Sequence, residues 1–142
     1  MATKAVLTIS SKNYGAWALR GWLMAKLAGL DFTEKVISPE DPAMRAEMLL
    51  LSSSMLVPFL QHNGVTVWDT LAIGEYLNEI KPKAQLLPAD IKARAHCRAV
   101  CGEMHSGFAS MRASLPMNIK AHFPKFKVLS LIHISEPTRL GM

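Results

Sequence analysis

A mixed α/β unit over residues 1–82 followed by a helical segment is the fold class that the order of sequence patterns predicts. Three observations carry it. The first 37 residues read strand, helix, strand; Asn63-Gly64 joins two short β-rich runs; and a long apolar helical stripe follows a proline-bearing linker. With 142 residues the chain has room for about one domain and a small appendage, at roughly 150 residues per domain. Half of its residues are hydrophobic and 19% are charged, so it can bury a core and lacks the composition of disorder.

Ala5 to Ile9, AVLTI, reads as a short buried strand ended by the polar loop Ser10-Ser11-Lys12-Asn13. Leu19, Leu23 and Leu27 then recur every four residues. With Asn13 as a candidate cap and Gly29 as a stop, they predict a helix over roughly 14–28. Phe32 to Ile37 returns as a second strand, which completes a unit whose crossover is expected to be right-handed. Asp41-Pro42 opens a short helix over 41–51. A hairpin follows, with Pro58-Phe59-Leu60-Gln61 and Val65-Thr66-Val67-Trp68 flanking His62-Asn63-Gly64, because Asn-Gly accepts the positive φ angles of a tight antiparallel turn. Asp69 and Thr70 introduce a helix that must end near Pro82.

Lys81 to Pro88 reads as a linker, after which Asp90 caps a predicted helix running to Leu115. Its stripe is Cys97, Cys101, Met104, Phe108, Met111 and Leu115. About 26 residues at 1.5 Å each make roughly 39 Å of helix, more than one isolated stripe sustains, so helical neighbours are expected to cover it.

Charge and cysteine content narrow the function classes. The formal net charge is +5, but 1–82 holds 7 basic and 8 acidic residues against 8 and 2 in 83–127. The excess is local, which argues against nucleic acid as a partner. Two cysteines make no disulfide framework, and a reducing, cytoplasmic setting is expected. No run is long and unbroken enough to predict a membrane span, and the N-terminus lacks a signal-peptide core. Cys97, Cys101 and His105 share one helical face, but the cysteines continue an apolar stripe, so a core or interface is expected and no metal.

Asn13-Tyr14-Gly15-Ala16-Trp17-Ala18-Leu19-Arg20-Gly21-Trp22-Leu23, Val57-Pro58 and Val67-Trp68-Asp69-Thr70-Leu71-Ala72-Ile73 in combination resemble the first-helix segment, the cis-proline element and the acid-hydroxyl-x-Ala-Ile signature of the soluble glutathione transferases, in particular a bacterial subgroup. Glu103-Met104-His105-Ser106-Gly107-Phe108 and Leu115-Pro116-Met117-Asn118 resemble the opening of the second domain. The resemblance implies a thioredoxin-like, glutathione-binding domain over 1–82 and the truncated start of an all-α domain over 83–128. Residues 129–142, which include Leu129-Ser130-Leu131-Ile132-His133-Ile134-Ser135-Glu136-Pro137-Thr138-Arg139, resemble a translated sequencing-library adapter and are expected to be non-biological.

The resemblance also implies a site. Glutathione would be the co-substrate, held by Gly15, Leu56, Val57, Pro58, Asp69 and Thr70, with the second partner a small hydrophobic electrophile in a pocket that includes Met104 and Phe108. A homodimer is implied as well. Asp69 and Thr70 serve equally as a plain helix cap or as receivers of an amino-acid end, the helix amides and hydroxyl taking a carboxylate and Asp69 an ammonium. Where the subgroup carries serine after Asn-Tyr, this chain has Gly15 and Ala16, leaving Ser11, Asn13 and Tyr14 as candidate catalytic donors to a thiolate at the helix start. Met55-Leu56 stands where relatives carry Gly-Lys, which removes a cation for the glycyl carboxylate. No Cys-x-x-Cys lies at the first helix, so disulfide oxidoreduction is not expected. Two rival functions are a glutathione-dependent cis-trans isomerase of the maleylacetoacetate isomerase type and a non-catalytic binding module.

Overall fold

A computed structural model describes residues 4–38, 41–43, 46 and 56–124. Its sheet has four strands, β1 (Ala5–Ile9), β2 (Phe32–Val36), β3 (Phe59–His62) and β4 (Val65–Trp68), in the order β2-β1-β3-β4. β1 pairs parallel with β2 and antiparallel with β3, and β3 pairs antiparallel with β4. The mixed sheet is therefore as expected. β1 is an interior strand, and Ala5, Leu7, Thr8 and Ile9 are all buried, which is why its sequence is a continuous rather than alternating apolar run. Asn63 and Gly64 have φ of 50° and 80°, the paired positive angles of the predicted hairpin turn.

Helix α1 spans Ala16–Leu27 and α2 spans Thr70–Ile80. α1 ends in a Schellman arrangement: Gly29 at φ 63° follows the cap, its N–H reaches the Lys26 carbonyl, and the Leu30 N–H reaches Ala25. The leucines that reveal α1 are not the residues it buries. Leu23 is exposed and Leu27 is 70% exposed, while Ala18, Gly21 and Ala25 face inward. Small inward residues let the helix lie close to its neighbours, and a Cβ on Gly21 would stand 2.7 Å from Pro58 Cγ. The core joins Leu7, Ile9 and Leu60 of the sheet to Ala18 and Ala25 of α1 and to Ile73 and Leu77 of α2.

The single helix expected from Asp90 to Leu115 is two helices, α3 (Ile91–Ser106) and α4 (Ala109–Ser114). Asp90 caps α3 as expected, accepting from Ala93 N–H at 2.8 Å. The break lies at Gly107-Phe108, where Phe108 takes φ 62° and a Cβ on Gly107 would fall 2.7 Å from the Glu103 carbonyl oxygen. Arg112 bridges the break by donating to the Gly107 and Met104 carbonyls. No residue of α3 or α4 is buried, and among the described residues no helix is long and apolar enough to cross a membrane. The expected helix over 41–51 lies mostly outside the described residues, with Pro42, Ala43 and Ala46 helical. The segment 129–142 lies wholly outside them.

Two side chains fasten α1 and its preceding loop to β2. Glu34 accepts from Lys12 Nζ at 2.7 Å and from Trp22 Nε1 at 2.8 Å. The Lys12 hydrogen bond, outweighing partial burial and assisted by Trp22, holds the Glu34 carboxyl below the usual carboxylate range. A depressed folded-state value stabilises the fold above the unfolded-state value of about 4.3 and is lost as pH falls through the lower one. Glu34→Gln is therefore expected to cost about 1 kcal/mol at pH 7 and to flatten the loss of stability on acidification, measured by urea melts between neutral and acid pH. Gly21→Ala, which drives a methyl into Pro58, is expected to destabilise by about 1–3 kcal/mol. An unchanged urea midpoint would show that α1 has room to lift.

Candidate functional site

The start of α2 is built by Asp69. Its Oδ1 accepts the Leu71 N–H at 2.8 Å, which satisfies one of the helix's unpaired amides. The residue sits at φ 74°, ψ 137°, a conformation that costs a non-glycine residue on the order of 1–3 kcal/mol, and two contacts hold it there. The second is His105 of α3, whose Nε2 lies 3.0 Å from Asp69 Oδ2. Thr70, the first residue of α2, is only 3% exposed.

The Val57-Pro58 peptide is cis, as expected. Pro58 is buried beneath α1, while Val57 is half-buried and Leu56 is exposed. One cleft of about 170 Å³ is lined by Leu56, Val57, Pro58, Asp69 and Thr70, together with Trp17 and His105. Five of the six residues expected to hold a ligand thus share one depression. The sixth, Gly15, caps α1 without a side-chain bond, and its N–H donates to the Ser11 carbonyl at 3.0 Å.

The candidate catalytic donors are placed elsewhere. Ser11 Oγ accepts the backbone N–H groups of Asn13 and Tyr14 at 3.1 and 3.2 Å and so shapes the turn. Asn13 does not cap α1 with its side chain. It donates to Asn118 Oδ1 at 3.0 Å and accepts from the Lys120 N–H at 3.0 Å, tying the β1-α1 loop to the segment after α4. Ser11 and Asn13 line a cavity of about 550 Å³ with Ile119 and Lys120. Tyr14, 67% exposed, lines another of about 500 Å³ with Leu115, Met117 and Phe123. Met104 and Phe108, the expected pocket residues, are not among the residues lining any of these three.

Trp17 and His105 are the cleft residues that sequence reasoning missed. Their rings meet edge to face with centroids 4.7 Å apart. The guanidinium groups of Arg20 and Arg112 lie 4.7 and 4.8 Å from the Trp17 ring centre. Partial burial, and then the charge of Arg112, push the Arg20 guanidinium below its ordinary value. His105 carried two sequence signals, its place one helical step beyond Cys101 and its membership of the Glu103–Phe108 segment, and neither says anything about a partner on α2. Farther along, Arg98 of α3 grips Glu75 of α2 with two bonds of 2.7 and 2.8 Å. That hydrogen-bonded contact, which outweighs partial burial, holds the Glu75 carboxyl low. Partial desolvation, and then the neighbouring Cys97, push the Cys101 thiol up, leaving it a weak nucleophile. Among the described residues no group of three or more His, Cys, Asp or Glu side chains is arranged to hold a metal ion.

Residues 14–80 match the model of the glutathione S-transferase N-terminal domain. Maleylacetoacetate isomerase of Rattus norvegicus is 30% identical over 114 residues, covering 78% of this chain and 52% of that protein. Glutathione S-transferase 1 of Dianthus caryophyllus is 37% identical over 81 residues, covering 56% of this chain and 36% of the relative. Among solved structures, a glutathione transferase homologue from Burkholderia with bound glutathione superposes with a TM-score of 0.65 at 28% identity, covering 77% of this chain and 60% of that one. The Omega 3C transferase of Trametes versicolor shares the fold, with a TM-score of 0.68 at 20% identity, covering 82% and 50%. The chain spans about half the length of the curated isomerases it matches.

Proposed function

Because the chain belongs to the soluble glutathione S-transferase family, we propose that the cleft between Val57 and Thr70 receives glutathione and that the protein activates its thiol for attack on a small hydrophobic electrophile. The observation that carries this reading is the gathering of Val57, Asp69 and Thr70 around one depression at a helix start. The γ-glutamyl end carries a carboxylate and an ammonium on one carbon. The amide end of α2 and the Thr70 hydroxyl suit the first, and the Asp69 carboxylate suits the second. The backbone of Val57 would pair with the cysteinyl unit as an added strand pairs with a sheet edge. A thiolate near the start of α1 gains from the helix dipole. Met104 and Phe108 would contribute to the electrophile's side, and we take the protein to act in detoxification as a cytoplasmic homodimer.

A second reading has specific support in the likeness to the rat isomerase. There the thiolate would add to an activated double bond, allow rotation, and leave again, so that glutathione is not consumed. Conjugation with stoichiometric loss of thiol supports the transferase reading, and isomerisation at constant thiol supports the rival. Binding without either reaction leaves a binding module.

Thr70→Ala is expected to weaken glutathione binding by about 1 kcal/mol or somewhat more, and Asp69→Ala by at least as much. Calorimetric affinities unchanged in both would place the site elsewhere. The missing hydroxyl at the α1 start can be restored at only one of the two departing positions. A Cβ on Gly15 would fall 2.6 Å from the Ser11 carbonyl oxygen and 2.9 Å from Ser10 Oγ, so serine does not fit there. Ala16→Ser is expected to raise the conjugation rate by about tenfold, the equivalent of one hydrogen bond of about 1.5 kcal/mol to a charged sulfur. No gain from it, together with loss of activity in Tyr14→Phe, would assign the thiol donor to Tyr14.

A further inference from the structure

We propose that His105 is a positioning residue for the ligand's ammonium group: its Nε2, 3.0 Å from Asp69 Oδ2, orients the Asp69 carboxylate that faces the cleft. This rests on the reading of the cleft as the seat of the γ-glutamyl end, and it assigns a role to a residue of α3 within a site otherwise made by the first unit.

The contact is at hydrogen-bond length, 3.0 Å between His105 Nε2 and Asp69 Oδ2, while Asp69 Oδ1 takes the Leu71 N–H at 2.8 Å. Each carboxylate oxygen is thereby fixed by one donor. An ionised carboxylate offers about four acceptor directions, so two remain for a ligand, and the half-buried Asp69 faces the cleft.

Nδ1 is buried and, among the described residues, has no hydrogen-bond partner, so the polar contact of the ring is the one that Nε2 makes with Asp69. The ring packs edge to face on Trp17 of α1 with centroids 4.7 Å apart, and the Arg20 and Arg112 guanidinium groups flank that same indole. His105 is thereby held by packing on one side and aims Nε2 at the carboxylate on the other.

The test is calorimetry on the 142-residue chain with glutathione and with its deamino analogue, in which hydrogen replaces the γ-glutamyl amine. His105→Ala should weaken glutathione about tenfold, as expected for a hydrogen bond to a charged group, and leave the analogue within about twofold. His105→Gln, which can donate from its amide, should restore most of the affinity. His105→Lys, which brings a charge to Asp69, should weaken glutathione at least as much as alanine does. In an Asp69→Asn background the alanine change should have no further effect. Equal losses for both ligands would make His105 merely structural and overturn the proposal. So would equal affinities of the Gln and Lys variants, the comparison that decides if the alanine variant does not fold. Wild-type protein that does not bind glutathione overturns both this proposal and the reading of the cleft; wild-type binding with an indifferent His105→Ala overturns this proposal alone.

Discussion

The close approach of α1 to Pro58 is the constraint on which the cleft depends. Gly21 has no side chain where a Cβ would come within 3 Å of the proline ring, at 2.7 and 2.9 Å from its Cγ and Cβ. With Ala18 and Ala25 it forms an inward face of minimal bulk. That face lets α1 settle against both the sheet and α2. The same approach brings Trp17 to the rim where Val57, Pro58 and Thr70 already stand. A larger residue at 21 would move three elements at once, because close-packed interiors do not absorb a methyl group locally. The apolar leucines of α1 contribute little here: Leu23 and Leu27 point outward.

The helical segment is attached to this core by polar ties rather than by burial. α3 and α4 contribute no buried side chain, yet Arg98 grips Glu75, His105 meets Asp69, and Asn13 bonds to the segment 118–120. Arg98 and Glu75 are exposed, and pairs of that kind stabilise by only about 0–1 kcal/mol. Their value is in register. Each fixes one point along α3 or beyond it, and three such points determine which face of the segment looks at the cleft. The Asp69 contact stands apart because the same carboxylate also caps α2; the helix start and the attachment of α3 are coupled through one side chain.

What was legible in the sequence follows the range of each signal. β1 was legible from five consecutive residues, the hairpin from Asn63-Gly64, and the start of α2 from Asp69, since each is written within a few positions. α1 was legible as a helix, but its inward face was not. Ala18, Gly21 and Ala25 carry almost no hydrophobic weight, and their importance comes from what they omit. The break at Gly107-Phe108 was hidden for the opposite reason, because the apolar spacing of Met104, Phe108 and Met111 continues through it while the backbone does not. For the site, Val57, Pro58, Asp69 and Thr70 were named from family resemblance, and spacing alone left them as a strand start and a cap. His105 was invisible as a cleft residue because its partner lies on another helix.

The departure at the start of α1 has a physical cause in the loop itself. Ser11 Oγ takes two successive backbone N–H groups, and the Ser11 carbonyl takes the Gly15 N–H at 3.0 Å. That doubly bonded turn folds the chain back so tightly that a Cβ on residue 15 would come within 2.6 Å of the carbonyl oxygen that accepts its own N–H. Glycine there is thus required by the turn, and a hydroxyl at 15 is incompatible with it. The Gly15 amide is spent on the turn, whereas the Ser11 hydroxyl, which accepts twice there, keeps its own hydrogen to donate. Of the groups in this loop, Tyr14 keeps its side chain outside that hydrogen-bonded frame, exposed and lining the cavity beside Leu115 and Phe123. A sulfur donor native to this loop would come from the Ser11 hydroxyl, the Asn13 amide or that phenol, and a hydroxyl can be added at Ala16, the first position of α1, which already carries a Cβ and escapes the steric limit that governs residue 15.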